Sequence, residues 1–96
     1  MITADVIKQH IEASLSCELV QIEGDDGYHF QAIIVSSKFR GKRMIQQHQL
    51  VYQALGEKMK QDIHALSMKT YTPEEWLRNL DLTHESMFEQ LSSGSK

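Results

Sequence analysis

YHFQAIIVSSKFRGKRMIQQHQLVYQALGEKMK, residues 28–60, carries two different hydrophobic periods on either side of one basic loop. In its first part Phe30, Ala32 and Ile34 alternate with His29, Gln31, Ile33 and Val35, which is the period of a strand, and predicts one from about Tyr28 to Ser36. The AIIV end is apolar on both faces, so the strand is expected to be central or buried. In the last part Met44, His48, Val51, Leu55 and Met59 recur at helical spacing, which predicts a helix from Arg43 to Lys60 with that stripe against the sheet. Gly56 inside it costs about 1 kcal/mol relative to alanine and marks either a close packing or an early fray. SSKFRGKR between them reads as a loop or a single helical turn, broken at Gly41.

Outward from this stretch, Gly24-Asp25-Asp26-Gly27 is the clearest turn signal. Glu18 to Glu23 precedes it as a strand with Val20 and Ile22 on one face, giving a β-hairpin. Before that, Thr3 is an N-cap and Ile7, Ile11 and Leu15 form one buried helical stripe, with Val6 and Ala13 alongside, ending near Ser16 and Cys17. After the long helix, Ile63 to Thr70 reads as a third strand. Thr72-Pro73-Glu74-Glu75 is a capping box with proline at the first helical position, and Trp76 and Leu80 are expected to face inward from the helix it starts. The order α-β-β-α-β-α predicts an α+β, KH-like domain over residues 1–80, with helices on one face of a three-stranded mixed sheet. Residues 81–96 are expected to be a partly disordered extension, with one marginal amphipathic stretch around Met87, Phe88 and Leu91. KH domains grip single-stranded nucleic acid through a GxxG loop; the nearest string here is Arg40-Gly41-Lys42-Arg43.

Ninety-six residues make one domain with a modest core. A formal charge of −3 argues against a protein living by nonspecific nucleic-acid binding, although not against a local basic patch. A lone cysteine, Cys17, excludes an intramolecular disulfide and a cysteine-rich zinc site. The N-terminal MITADVIKQH lacks a signal-peptide pattern, no apolar run reaches membrane-spanning length, and a reducing cytoplasm is the expected location.

No arrangement for catalysis emerges, and the chain is not expected to be an enzyme. Cys17 sits beside Glu18, whose carboxylate raises a thiol pKa rather than lowering it. There is neither a nucleophile elbow nor a phosphate-binding glycine loop, and Asp25 and Asp26 read as turn residues. Lys38, Arg40, Lys42 and Arg43 lie within six residues, with Phe39 as a possible stacking surface, so this loop is either a phosphate-contacting patch or a solvated loop. Of five histidines, His10 and His84 fall on exposed or weakly structured segments, and His48 reads as a hydrogen-bonded core residue on the long helix. His64 opens the third strand and His29 the second. If both strand ends lie at one edge of the sheet, the two imidazoles converge in a geometry that suits a shared metal centre.

At these residues the sequence resembles the BolA-like family. The resemblance covers about Phe30 to Arg78 and rests on three pieces: F-x-G-K at Phe39 to Lys42, QHQLV at Gln47 to Val51, and IHALSMK-T-x-TPEEW from Ile63. The GDDG turn and the YHF after it look most like the bacterial subgroup typified by the acid-stress BolA paralogue. The resemblance implies a KH-like fold and partnership with a monothiol glutaredoxin of the CGFS type. In that family the pair shares a [2Fe–2S] cluster, with a glutaredoxin cysteine and a glutathione thiol as two ligands. A histidine at the position of His64 supplies a third, and the hairpin region a fourth. Relatives with a cysteine in the hairpin loop have no counterpart here, so His29 is the substitute and Asp26 the poorer one. Cys17 does not align with a ligand position. Neutral imidazole in place of thiolate implies a raised potential and acid lability. The isolated chain is expected to hold no cluster and to be a monomer or weak homodimer. The family is also described as transcriptional regulators, which would place DNA on Lys38, Arg40, Lys42 and Arg43.

Overall fold

Thr3 begins the first helix: its hydroxyl accepts the Val6 N–H at 3.3 Å, so α1 (Ala4–Ser14) starts with a satisfied amide. Ile7 and Ile11 are its fully buried face and Leu15 follows at the end of the helix, as the four-residue spacing predicts, whereas Val6 and Ala13 lie on the exposed side. The structure is a computed structural model and describes residues 2–24, 28–63 and 65–80. Met1, Asp25, Asp26, Gly27, His64 and residues 81–96 lie outside them, and with them the expectations placed on the turn tip, on His64 and His84, and on the C-terminal extension.

The sheet has the order β1-β2-β3, with β1 (Leu19–Glu23), β2 (His29–Val35) and β3 (Ala65–Tyr71). β1 and β2 are antiparallel, from Leu19 opposite Val35 to Glu23 opposite Gln31. β2 and β3 are parallel, from His29 opposite Ala65 to Val35 opposite Tyr71. A parallel pair needs a long crossover, and the turn at Ser37–Phe39 followed by α2 (Met44–Asp62) supplies it. β2 is the central strand, which accounts for the AIIV run that is apolar on both faces. Val20, Phe30, Ala32 and Ile34 point into the core shared with α1 and α2. Gln21, Glu23, Gln31, Ser67 and Lys69 populate the other, open face.

Two residues expected outside or inside exchange places. Phe39, expected to offer a stacking surface, is completely buried. It is the plug that joins the turn after β2 to the core, a burial that contributes about 1.5–3 kcal/mol. Met44, expected on the buried stripe of α2, is 69% exposed. The first turn of the helix is exposed, and the buried face begins with Gln47, Val51, Ala54 and Leu55.

Gly56 neither packs closely nor frays. It has φ 81° and ψ 161° and breaks α2 into two segments. After β3 the Thr72 cap forms as expected: its hydroxyl accepts the Glu75 N–H at 3.2 Å, and the Glu75 carboxylate accepts the Thr72 N–H at 2.9 Å. Residues 73–80 are helical and form α3. Trp76 is half-buried against Tyr71, with ring centroids 5.3 Å apart, but Leu80 does not face inward and is 45% exposed. Among the described residues no helix is long and apolar enough to cross a membrane.

Candidate functional site

The parallel pairing of β2 with β3 decides where the histidines can meet. Parallel strands that start in register start at the same edge, and here His29 is directly opposite Ala65. The Ala65 N–H donates to the Tyr28 carbonyl at 3.0 Å, so the pairing begins at the very mouth of both strands. Ala65 is the residue that follows His64 in the chain. The second and third strands therefore begin at one edge, at His29 and Ala65. His29 itself is exposed, on the open face of the sheet. An open depression lies beside it, walled by Glu23 and Gly24 of the hairpin, Gln31 of β2, and Ala65 and Ser67 of β3. The small side chains of Ala65 and Ser67 leave this wall low. Among the described residues no three histidine, cysteine, aspartate or glutamate side chains converge.

Gly24 holds this mouth tightly. A Cβ there would lie 2.5 Å from Phe30 Cδ1 and 2.6 Å from the His29 carbonyl oxygen. The hairpin backbone therefore passes directly over the base of His29, an approach only glycine allows. GDDG announced a turn but not the close contact at Gly24.

Cys17 belongs to the other end. Glu18 donates its N–H to the Val35 carbonyl, so the α1–β1 junction sits where β2 finishes. Seven strand residues at about 3.3 Å each put it roughly 20 Å from His29. The Cys17 thiol, half-buried and 3.3 Å from the Leu15 carbonyl oxygen, has its pKa pushed up to about 11. Burial is the main cause and the carboxylates of Glu18 and Glu12 add to it. It is an inert thiol, as the adjacent glutamate suggested.

The basic loop also lies at that far end. Ser36, fully buried, accepts the Lys38 N–H and donates to the Ser16 carbonyl, which fixes the turn. Lys38, Lys42 and Arg43 are exposed. Arg40 is exposed too, but its guanidinium forks onto Glu74 of α3, with Nε 2.9 and 3.2 Å from the two carboxylate oxygens and Nη2 on the first of them. That bond raises the Arg40 pKa and lowers that of Glu74. Arg40 thus fastens the loop to α3.

Sequence reasoning passed over the residue that organises this loop. Gln47 is 8% exposed, and its side-chain amide donates to the Lys42 carbonyl at 2.9 Å and to the Phe39 carbonyl at 3.4 Å. Its amide oxygen accepts the Thr70 hydroxyl at 2.6 Å, which ties loop, α2 and β3 together. Its position four residues before Val51 and eight before Leu55, on the buried stripe, was the available signal. His48, read as a hydrogen-bonded core residue, is partly buried but its Nε2 is enclosed with no hydrogen-bond partner among the described residues. His10 lies exposed on α1, its Nδ1 3.0 Å from the Val6 carbonyl oxygen.

An α-β-β-α-β-α chain on a mixed sheet of order β1-β2-β3, with histidine at a parallel strand mouth, defines a small KH-like domain of the BolA class. A family model described as BolA-like protein matches residues 5–75, and the chain belongs to that family. A solved BolA homologue from Coxiella burnetii is 51% identical with a TM-score of 0.70, covering 79% of this chain and 97% of that one. Protein BOLA2 of Arabidopsis thaliana is 42% identical over 79 residues, 74% of this chain and 84% of that protein. The protein of Haemophilus influenzae named DNA-binding transcriptional regulator BolA is 35% identical over 80 residues, 74% of this chain and 78% of its own length.

Proposed function

We propose that this chain is an adaptor that completes a shared [2Fe–2S] cluster with a monothiol CGFS glutaredoxin and glutathione, in iron–sulfur trafficking or iron and stress sensing. His64 is the primary ligand on this chain and His29 the second. The observation that carries the reading is the strand register: His29 faces Ala65, the neighbour of His64, at one edge of the sheet. The donor chemistry is suitable, because imidazole is an accepted ligand of iron in such clusters, where carboxylate oxygen of the kind Asp26 offers is less suited. When bound, the cluster supplies a redox centre whose potential rises as imidazole replaces thiolate. This chain's own part is to present imidazole at an open, low-walled edge that a partner can approach, while its only thiol stays protonated at the other end of the sheet.

Mixing the chain with cluster-loaded glutaredoxin and recording visible circular dichroism tests the reading. A new spectrum is expected, altered by His64→Ala and more weakly by His29→Ala. No change on mixing, or the same change with His64→Ala, would sink it.

A second reading, nucleic-acid binding in a transcriptional regulator, is favoured by the three exposed cations Lys38, Lys42 and Arg43 on a turn fixed by Ser36 and Gln47. The name of the Haemophilus relative points the same way. Charge reversal at Lys42 and Arg43 should weaken DNA binding and flatten its salt dependence. Unchanged affinity and slope would remove this reading.

A further inference from the structure

We infer that Gly56 is a positioning residue for the histidine-bearing strand mouth, acting through the short helical segment that runs from it into β3. The inference rests on the proposed role of that mouth and asks what aims it.

With φ 81° and ψ 161°, Gly56 occupies a region of backbone space that is essentially closed to residues with a Cβ. Packing does not explain the glycine, because a Cβ built there meets nothing within 4 Å. What the position needs is the dihedral angle alone. The consequence lies downstream. In an unbroken helix, positions four apart drift by about 40° around the axis. Ile63 would then lie about 120° away from the direction in which Val51 enters the core. In the structure Val51, Leu55 and Met59 are all buried and Ile63 packs against the same cluster. The break resets the rotation, so that the second segment re-enters the core through Met59 and Ile63.

That segment is fixed at both ends. Ile63 closes it, with its N–H on the Met59 carbonyl at 3.2 Å. Two residues later Ala65 pairs with His29. The direction set at Gly56 is therefore carried by a core-anchored segment as far as Ile63, two positions before the start of β3 at Ala65. An L-residue at position 56 must either retain a closed conformation or fall back to helical ψ near −40°. The second outcome redirects residues 57–63 and hence the way the chain arrives at the mouth.

Gly56→Ala in the full chain tests this, with Gly41→Ala as the matched control. Gly41 also has a positive φ, 73°, and open space around it, but follows the far end of β2. Imidazole resonances of His29 and His64 in the free chain are the primary readout. Uptake of the mixed cluster from glutaredoxin is the second. Gly56→Ala is expected to move both sets of resonances and to weaken cluster uptake tenfold or more. Gly41→Ala is expected to leave both as they are at a similar loss of thermal stability. Gly56→D-Ala, made by ligation of synthetic segments, favours positive φ and should retain the native resonances even if the L-variant does not fold. The inference is overturned if folded Gly56→Ala leaves the imidazoles unmoved, if Gly41→Ala moves them equally, or if the D-variant displaces them. Should the wild-type chain take up no cluster, the adaptor reading falls while the imidazole shifts still decide the role of Gly56.

Discussion

Replacing Gly24 with alanine presses on the same strand mouth from the hairpin side. The added Cβ would stand 2.5 Å from Phe30 Cδ1, 3.1 Å from Phe30 Cε1 and 2.6 Å from the His29 carbonyl oxygen. Carbon atoms rest about 3.5–4.0 Å apart, so the first contact is short by roughly 1 Å. The ring has nowhere to go, because Phe30 is 2% exposed and packed within the core. The carbonyl belongs to a central strand bonded on both sides. The overlap must therefore be shared between a displaced ring and a displaced His29 backbone. Overpacking of this kind costs about 1–3 kcal/mol. In a domain of this size 1 kcal/mol moves the melting temperature by about 4–8 °C, so a fall of roughly 4–24 °C is expected. Thermal unfolding followed by far-UV circular dichroism measures the loss. Amide and imidazole NMR spectra well below the transition locate the displacement, with shifts expected at His29, Phe30 and Ala65 and none at Phe39 or Trp76. A variant that melts like the wild type with His29 unmoved would refute the argument that Gly24 sets the position of that residue.

Gln47→Leu keeps the volume but strands the Thr70 hydroxyl and the Lys42 carbonyl. At about 1–3 kcal/mol per unsatisfied group, urea unfolding should show a loss of roughly 2–6 kcal/mol, partly restored by adding Thr70→Val; an unchanged midpoint would contradict it. The Cys17 thiol, with a pKa of about 11 against an ordinary 9.0, should be alkylated at neutral pH roughly 100-fold more slowly than a peptide cysteine. Because the folded value lies above the unfolded one, its contribution to stability is complete below pH 9.0 and lost as pH rises through about 11, a decline that Cys17→Ala should reduce. Arg40→Ala should let the Glu74 carboxyl pKa rise back towards 4.5, seen by carboxyl carbon NMR titration. The lowered value means that the pair stabilises above pH 4.5 and fades as pH falls through the folded pKa, and with both groups exposed the melting temperature should barely move.

Period and punctuation made the fold readable. The alternation of β2, the four-residue stripe of α1 and the Thr72 box each depend on local rules, and each stands in the structure within a residue or two of its expected place. What local rules could not supply was which part of a periodic stripe reaches the sheet. Met44 continues the α2 period faultlessly yet is exposed, and the buried face starts at Gln47, which bonds the preceding loop. Phe39, amid four cations, read as a surface aromatic, and only the turn built on Ser36 shows that it points inward. Arg40 and Glu74 are separated by 34 positions, so nothing in the basic cluster itself disclosed that Arg40 is engaged. The site was legible to the extent that it depends on strand ends. His29 was found because it opens a strand, while its convergence with the start of β3 needed the parallel register, which no sequence period encodes.

The same register separates the two functional readings in space. His29 begins β2 and Ser36 follows its last residue, so the strand mouth and the basic loop stand roughly 20 Å apart at opposite ends of one strand. At that distance exposed charges are screened at physiological salt, where the Debye length is about 8 Å. A glutaredoxin seated on the mouth and a phosphate backbone on Lys38, Lys42 and Arg43 would thus neither share a ligand nor repel one another by direct charge. Any coupling between them has to pass through the sheet and α2, the two elements that Gln47 and Thr70 bind to the loop and that Gly56 and Ile63 connect to the mouth. His64→Ala should therefore leave DNA binding as it is, and reversal of Lys42 and Arg43 should leave cluster uptake as it is. A variant at either end that abolished both functions without unfolding the chain would show that the two ends do not act independently, and the functional division along β2 would be wrong.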